Sequence, residues 1–181
     1  MGRIFITAAL LLLTSIVAAA QIKSVYTSLD EKHCKTTKPI SDSLGVYTYN
    51  KMCGGVGGYR LALEEDKDRK LVAIVAPSGK TFDAGFGPDA YNSLGKTAEW
   101  RVRNRKPIAL IIRIDERNES GGNVTHSGLA VSKITRSTAC VVATVDSSKN
   151  WRDQARKLAD SSASKPCLPY MGFWKISKPL F

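Results

Sequence analysis

Few residues of this chain have a type and spacing that could perform chemistry. There are two histidines, His33 and His126. His33 directly precedes Cys34, and neighbours in an extended chain point apart, so no Cys–His nucleophile pair is expected there. His126 lies in Thr125-His126-Ser127-Gly128, where Ser127 lacks the G-x-S-x-G elbow that would expose its hydroxyl. The H-E-x-x-H zinc pattern does not occur. Glu64, Glu65, Asp66 and Asp68 are clustered, but Lys67, Arg69 and Lys70 interrupt them and the spacing of a calcium loop is missing. That run reads as a solvated hairpin tip. The run Gly54-Gly55-Val56-Gly57-Gly58 has neither the closing Gly-Lys-Ser/Thr of a phosphate loop nor a helix pattern after it, and reads as a tight loop. No catalytic residue, metal ligand or cofactor is assigned.

Arginine clustering offers the sharper chemistry. Arg101, Arg103, Arg105 and Lys106 gather around one expected turn, and Arg113 follows on the return strand. A guanidinium presents a planar fork that grips carboxylate or phosphate through two parallel hydrogen bonds. These five residues form the candidate anion-binding set, with Arg101 and Arg103 expected to share one exposed face. The balance of the chain agrees: 27 Lys and Arg against 16 Asp and Glu give a formal net charge of +11, which attracts anionic partners. Basic residues on strand edges also serve solubility and block edge-to-edge pairing. A second candidate surface is the stretch Pro77 to Lys96, where glycines and Pro88 break regular structure and Phe82, Phe86 and Tyr91 supply apolar anchors. Loops of about 20 residues are uncommon in a compact domain and often functional.

These residues need a scaffold, and the scaffold begins with export. Arg3, the apolar run Ile4–Val17 and Ala18-Ala19-Ala20 have the form of a secretory signal peptide. The run is shorter than the roughly 20 residues that span a bilayer. Residues 1–20 are therefore expected to be removed, leaving 21–181 as a single exported domain with no transmembrane segment. A periplasmic or secreted location lets disulfides persist. Cys34, Cys53, Cys140 and Cys167 permit three pairings, and none has the C-x-x-C spacing of a zinc site. The pairs that close short loops, Cys34–Cys53 and Cys140–Cys167, are expected.

From Tyr59 onward the apolar period is two. Tyr59, Leu61 and Leu63 alternate with polar or small residues, and Leu71–Val75 is apolar on both faces, which predicts a hairpin with a buried second strand. Ala98, Trp100 and Val102 share the core face of the next strand. Ile108–Ile114 is expected as an interior strand, and strands near 127–134 and 139–145 follow. Trp151, Ala155, Leu158 and Ala159 fall at helical spacing, so one helix is predicted over 149–162, capped by Ser147 or Ser148. The fold class expected is α+β: an antiparallel β-meander with one C-terminal helix packed on the sheet, stapled by disulfides.

Taken together, Tyr26-Thr27-Ser28-Leu29-Asp30 with Cys34, Cys53 with its glycines and Tyr59, Glu99-Trp100-Arg101, Pro107-Ile108-Ala109, and Cys140 with Val145-Asp146 resemble a family of small exported, cysteine-containing proteins of proteobacteria with no assigned activity. The resemblance covers most of residues 21–181 and carries no functional residue across. It implies bacterial export, and hence the periplasm. The function expected is a non-catalytic periplasmic or secreted binding protein for an anionic envelope component, another polyanion or an acidic protein. The alternative is a small envelope-polymer hydrolase, whose paired carboxylates would meet only in three dimensions.

Overall fold

Period-two patterning becomes antiparallel sheet in the computed structural model of the protein, which describes residues 21–41, 48–66, 69–84, 91–118 and 122–169. The expected signal peptide, 1–20, lies outside the described residues, as do 85–90 of the Pro77–Lys96 stretch. The strands are β1 Lys23–Ser28, β2 Lys35–Ser41, β3 Thr48–Cys53, β4 Arg60–Asp66, β5 Arg69–Val75 and β6 Thr81–Asp83, followed by β7 Asn92–Arg103, β8 Lys106–Arg117, β9 Val124–Ile134 and β10 Ala139–Asp146. One α-helix follows among the described residues, α1 Trp151–Asp160. No described helix is long and apolar enough to cross a membrane.

The strands form two five-stranded sheets rather than the expected single meander. Sheet 1 runs β1-β7-β8-β9-β10 and sheet 2 runs β2-β3-β4-β5-β6. The difference arises at β1, which pairs with β7 so that Val25 lies opposite Trp100, while the chain between them folds back as sheet 2. Pattern alone places consecutive strands side by side; a pairing over so long a separation leaves no periodic trace. The stretch Pro77–Lys96 is likewise not a continuous loop, because it contains β6 and the first residues of β7.

Sheet 2 contributes Leu61, Leu63, Val72 and Ile74 to the main core, and sheet 1 contributes Trp100, Leu110 and Ile112. The Trp100 indole N–H, buried with the ring, donates to Thr27 Oγ1 at 2.8 Å. The other face of sheet 1 is covered by α1, whose Ala155 and Ala159 pack on Ala109, Ile111, Leu129 and Val131. β8 is therefore buried on both faces from Ala109 to Ile112, which is why that stretch reads as a continuous apolar run. The helix begins at Asn150, φ 74°, with no side-chain cap, so neither Ser147 nor Ser148 caps it as expected.

Both expected disulfides are present. Cys34–Cys53 links the residue before β2 to the end of β3, and Cys140–Cys167 ties the segment beyond α1 back to β10.

Candidate functional site

β7 and β8 meet in a two-residue turn. Arg103 pairs with Lys106, and the central residues Asn104 and Arg105 have φ of 51° and 62°. Positive φ at both positions is the signature of the type I′ hairpin turn, whose preferred sequence is Asn-Gly. Asn104 suits its position; Arg105 stands where glycine would be unstrained. Arg103, Arg105 and Lys106 are exposed, and their side chains form no ion pair with the described residues. Gly57, at φ 62°, backs the turn: a Cβ there would lie 2.8 Å from Pro107 Cδ and 3.3 Å from Arg105 O. The glycine run thus allows sheet 2 to approach the turn closely and support it.

Arg101 is placed differently. It is 8% exposed, and it faces α1 rather than sharing an exposed face with Arg103. The reason is that the helix covers the side of β7 that carries Glu99 and Arg101, while a register shift separates Arg101 from Val102. Its guanidinium forks onto Asp160, with Nε donating to Oδ1 at 2.7 Å and Nη2 to Oδ2 at 2.9 Å. Nη1 donates to Ser24 Oγ, and the Ser24 hydroxyl in turn donates to Glu99. Arg156 of α1 forks onto the same Glu99 carboxylate, at 2.7 and 3.3 Å. Burial alone would push the Glu99 carboxyl up, but hydrogen bonds from Arg156 and Ser24 and the two guanidinium charges outweigh it and hold it below its ordinary value. The hydrogen bond to Asp160 raises the pKa of Arg101. This network joins β1, β7 and α1. Arg156 Nη2 also donates to the Tyr26 hydroxyl at 3.1 Å, and sequence alone could not reveal the network, because its partners are up to 130 residues apart.

Arg113 projects from β8 toward α1. Its Nε donates to Asp115 Oδ1 at 2.8 Å, and its guanidinium lies 5.8 Å from the centre of the Trp151 ring. It lines a groove of about 280 Å3 beside α1, together with Tyr26, Lys96, Thr97, Ile111 and Arg152. A second cavity, about 350 Å3, has Leu29, Leu63 and Leu94 with Glu31, Lys51 and Lys70 in its walls. There Glu31 bridges both lysines, at 2.6 Å from Lys51, so each of these two lysines has a carboxylate partner. The five-residue candidate set is thus divided three ways: the turn, the helix network and the groove.

Cys34 is in a disulfide, and His33 Nδ1 lies 3.3 Å from Ser28 Oγ. Ser127 donates to Asp115, while His126, its strand neighbour, points to the other face with Nε2 3.8 Å from Asp146 Oδ1. Among the described residues no group of three or more His, Cys, Asp or Glu could hold a metal ion. Neither a family model, nor a curated protein, nor a solved structure matches the chain.

Proposed function

We propose that the protein is an exported, non-catalytic binding protein whose contact surface for polyanionic ligands is the β7–β8 turn. One observation carries this reading: Arg105 occupies a left-handed position, φ 62°, in a turn where glycine is the relaxed choice. A non-glycine residue there costs roughly 1–2 kcal/mol, and a strained residue at an exposed tip points to function rather than to packing. Arg103 and Lys106 flank it and are also exposed, so three cations gather at the turn with no ion pair among the described residues. The two disulfides support an oxidising, extracytoplasmic destination, in line with a periplasmic or secreted protein that meets anionic envelope components.

The test separates charge from fold. Arg105→Gly relaxes the turn, so it should stabilise the protein by about 1 kcal/mol in urea unfolding while weakening binding to heparin and to phosphatidylglycerol vesicles. Charge reversal at Arg103 and Arg105 should weaken binding more than reversal at Lys149 and Lys165. Affinity should fall steeply with salt, since screening shortens to about 8 Å at physiological ionic strength. Equal losses at both pairs would mean general attraction by a basic surface, and unchanged binding in Arg105→Gly would remove the turn from the site.

A further inference from the structure

We infer that the groove between α1 and sheet 1 is a second binding site, for a small free organic anion with a carboxylate or phosphate head on an apolar body. The floor is apolar: Ile111 is 3% and Leu129 6% exposed. The rim is cationic, with Lys96, Arg113 and Arg152 lining one space of about 280 Å3. Lys96 and Arg152 are exposed, and their side chains form no ion pair with the described residues. Arg113 spends Nε on Asp115 and Nη2 on Ser127 Oγ at 3.4 Å, which leaves its Nη1 group without a partner among the described residues.

Charge sets this space apart from the cavity at Glu31. There Asp30, Glu31 and Glu64 are in the lining and Glu31 pairs with Lys51 and Lys70, whereas the one carboxylate lining the groove, Glu99, is already held by Arg156 and by Ser24; Lys96 lies between the two spaces and lines both. Lys96 and Arg152 therefore have no counter-charge among the described residues, and the counter-charge of Arg113, Asp115, is not in the lining of the groove. Its shape is built in. The register of β7 against β8 slips between Leu94 and Ala98, and a Cβ on Gly95 would lie 2.9 Å from the Arg113 Cβ, so glycine lets the Arg113 side chain lie across the slip. Trp151 stacks on the Arg113 guanidinium from the helix side and holds it ready. An anionic head bound by charge-assisted hydrogen bonds over an apolar floor is what such a space selects. Its volume lies just under the roughly 300 Å3 at which ligand pockets begin, which limits the occupant to a small molecule. The inference does not depend on the β7–β8 turn, which lies at the far end of β7.

Titration calorimetry with 4-phenylbutyrate tests it, with acetate as the head alone and 4-phenylbutanol as the body alone. One saturable site for 4-phenylbutyrate is expected, with much weaker binding of either fragment. Replacing both Arg113 and Arg152 by Ala should weaken binding at least about tenfold, the loss of roughly one charge-assisted hydrogen bond. Thr97→Trp, at an exposed rim position, should fill the groove and abolish binding while leaving the melting temperature unchanged. Reversing Arg103 and Arg105 should leave 4-phenylbutyrate affinity within about twofold, even where it removes polyanion binding. No saturable binding, acetate binding as tightly, or an equal loss on reversing Arg103 and Arg105 would each overturn the inference. Displacement of 4-phenylbutyrate by phosphatidylglycerol vesicles would overturn the assignment to a free ligand and make the groove a lipid-headgroup site.

Discussion

Glu99 holds two hydrogen-bonded partners, Arg156 and Ser24, on a residue that is 8% exposed. Removing the charge of one member of such a network leaves guanidinium groups desolvated without compensation, so Glu99→Gln is expected to destabilise the protein by about 3 kcal/mol at pH 7. The sign of the pH dependence follows from the depressed carboxyl. Its folded-state pKa lies below the ordinary 4.5, so the stabilisation is complete above that value and is lost as pH falls through the lower folded value. Urea unfolding of the two proteins should therefore show a wide gap at pH 7 that narrows in the acid limb, because wild-type Glu99 becomes protonated there. A gap of the same width at pH 3 would mean that another group carries the acid sensitivity. Arg101 illustrates what a sequence conceals at this scale. Its type and spacing read as a solvent-facing anion ligand, and only the arrival of Asp160 from α1 assigns it to the interior.

Among the elements, β8 bears the most packing. Ile112 is 1% exposed and lies between Ala98 of β7 and Ala130 of β9 in register, so small neighbours cannot move to refill its space. Ile112→Ala should cost about 2–5 kcal/mol in chemical denaturation; a loss under about 1 kcal/mol would place β8 at a relaxed edge. Strands with strong alternation or continuous apolar runs (β4, β5 and β7 to β10) were legible from pattern, as was α1 from its stripe. β2 was not: Lys-Thr-Thr-Lys-Pro-Ile-Ser has no alternation to read, because as an edge strand it buries little and tolerates Pro39. β6, three residues long, is too short for any period. The turn residues Arg103, Arg105 and Lys106 were legible because the two strands flanking them were. The groove was not, since its walls come from β1, β7, β8, β9 and α1 and meet only after β1 adds to the edge of sheet 1 and α1 packs on its face.

At the scale of the whole molecule, the two disulfides act on different layers and should fail differently. Cys53 is 2% exposed and belongs to the core between the sheets, so Cys34→Ala with Cys53→Ala removes a cross-link and leaves space in the core. The Cys140–Cys167 bridge closes a 27-residue separation and holds the chain beyond α1 to β10, helped by the Leu168 N–H donating to Val141 O at 2.8 Å and Lys133 Nζ donating to Lys165 O at 2.6 Å. In the loop-entropy picture each bridge contributes about 3 kcal/mol, or roughly 10 °C in Tm for a chain of this size. The core pair should lose more than that, because an unfilled space adds to it. Replacing Cys140 and Cys167 should lower Tm by about the entropic amount alone, and α1 should stay docked, since Arg101–Asp160 and Glu99–Arg156 anchor it independently. Thermal melts of the two double variants, with far-UV circular dichroism at low temperature, check both statements. A larger fall for the Cys140–Cys167 variant, or loss of helix signal before the melt, would show that the covalent tie rather than the buried ion network holds the helical layer in place.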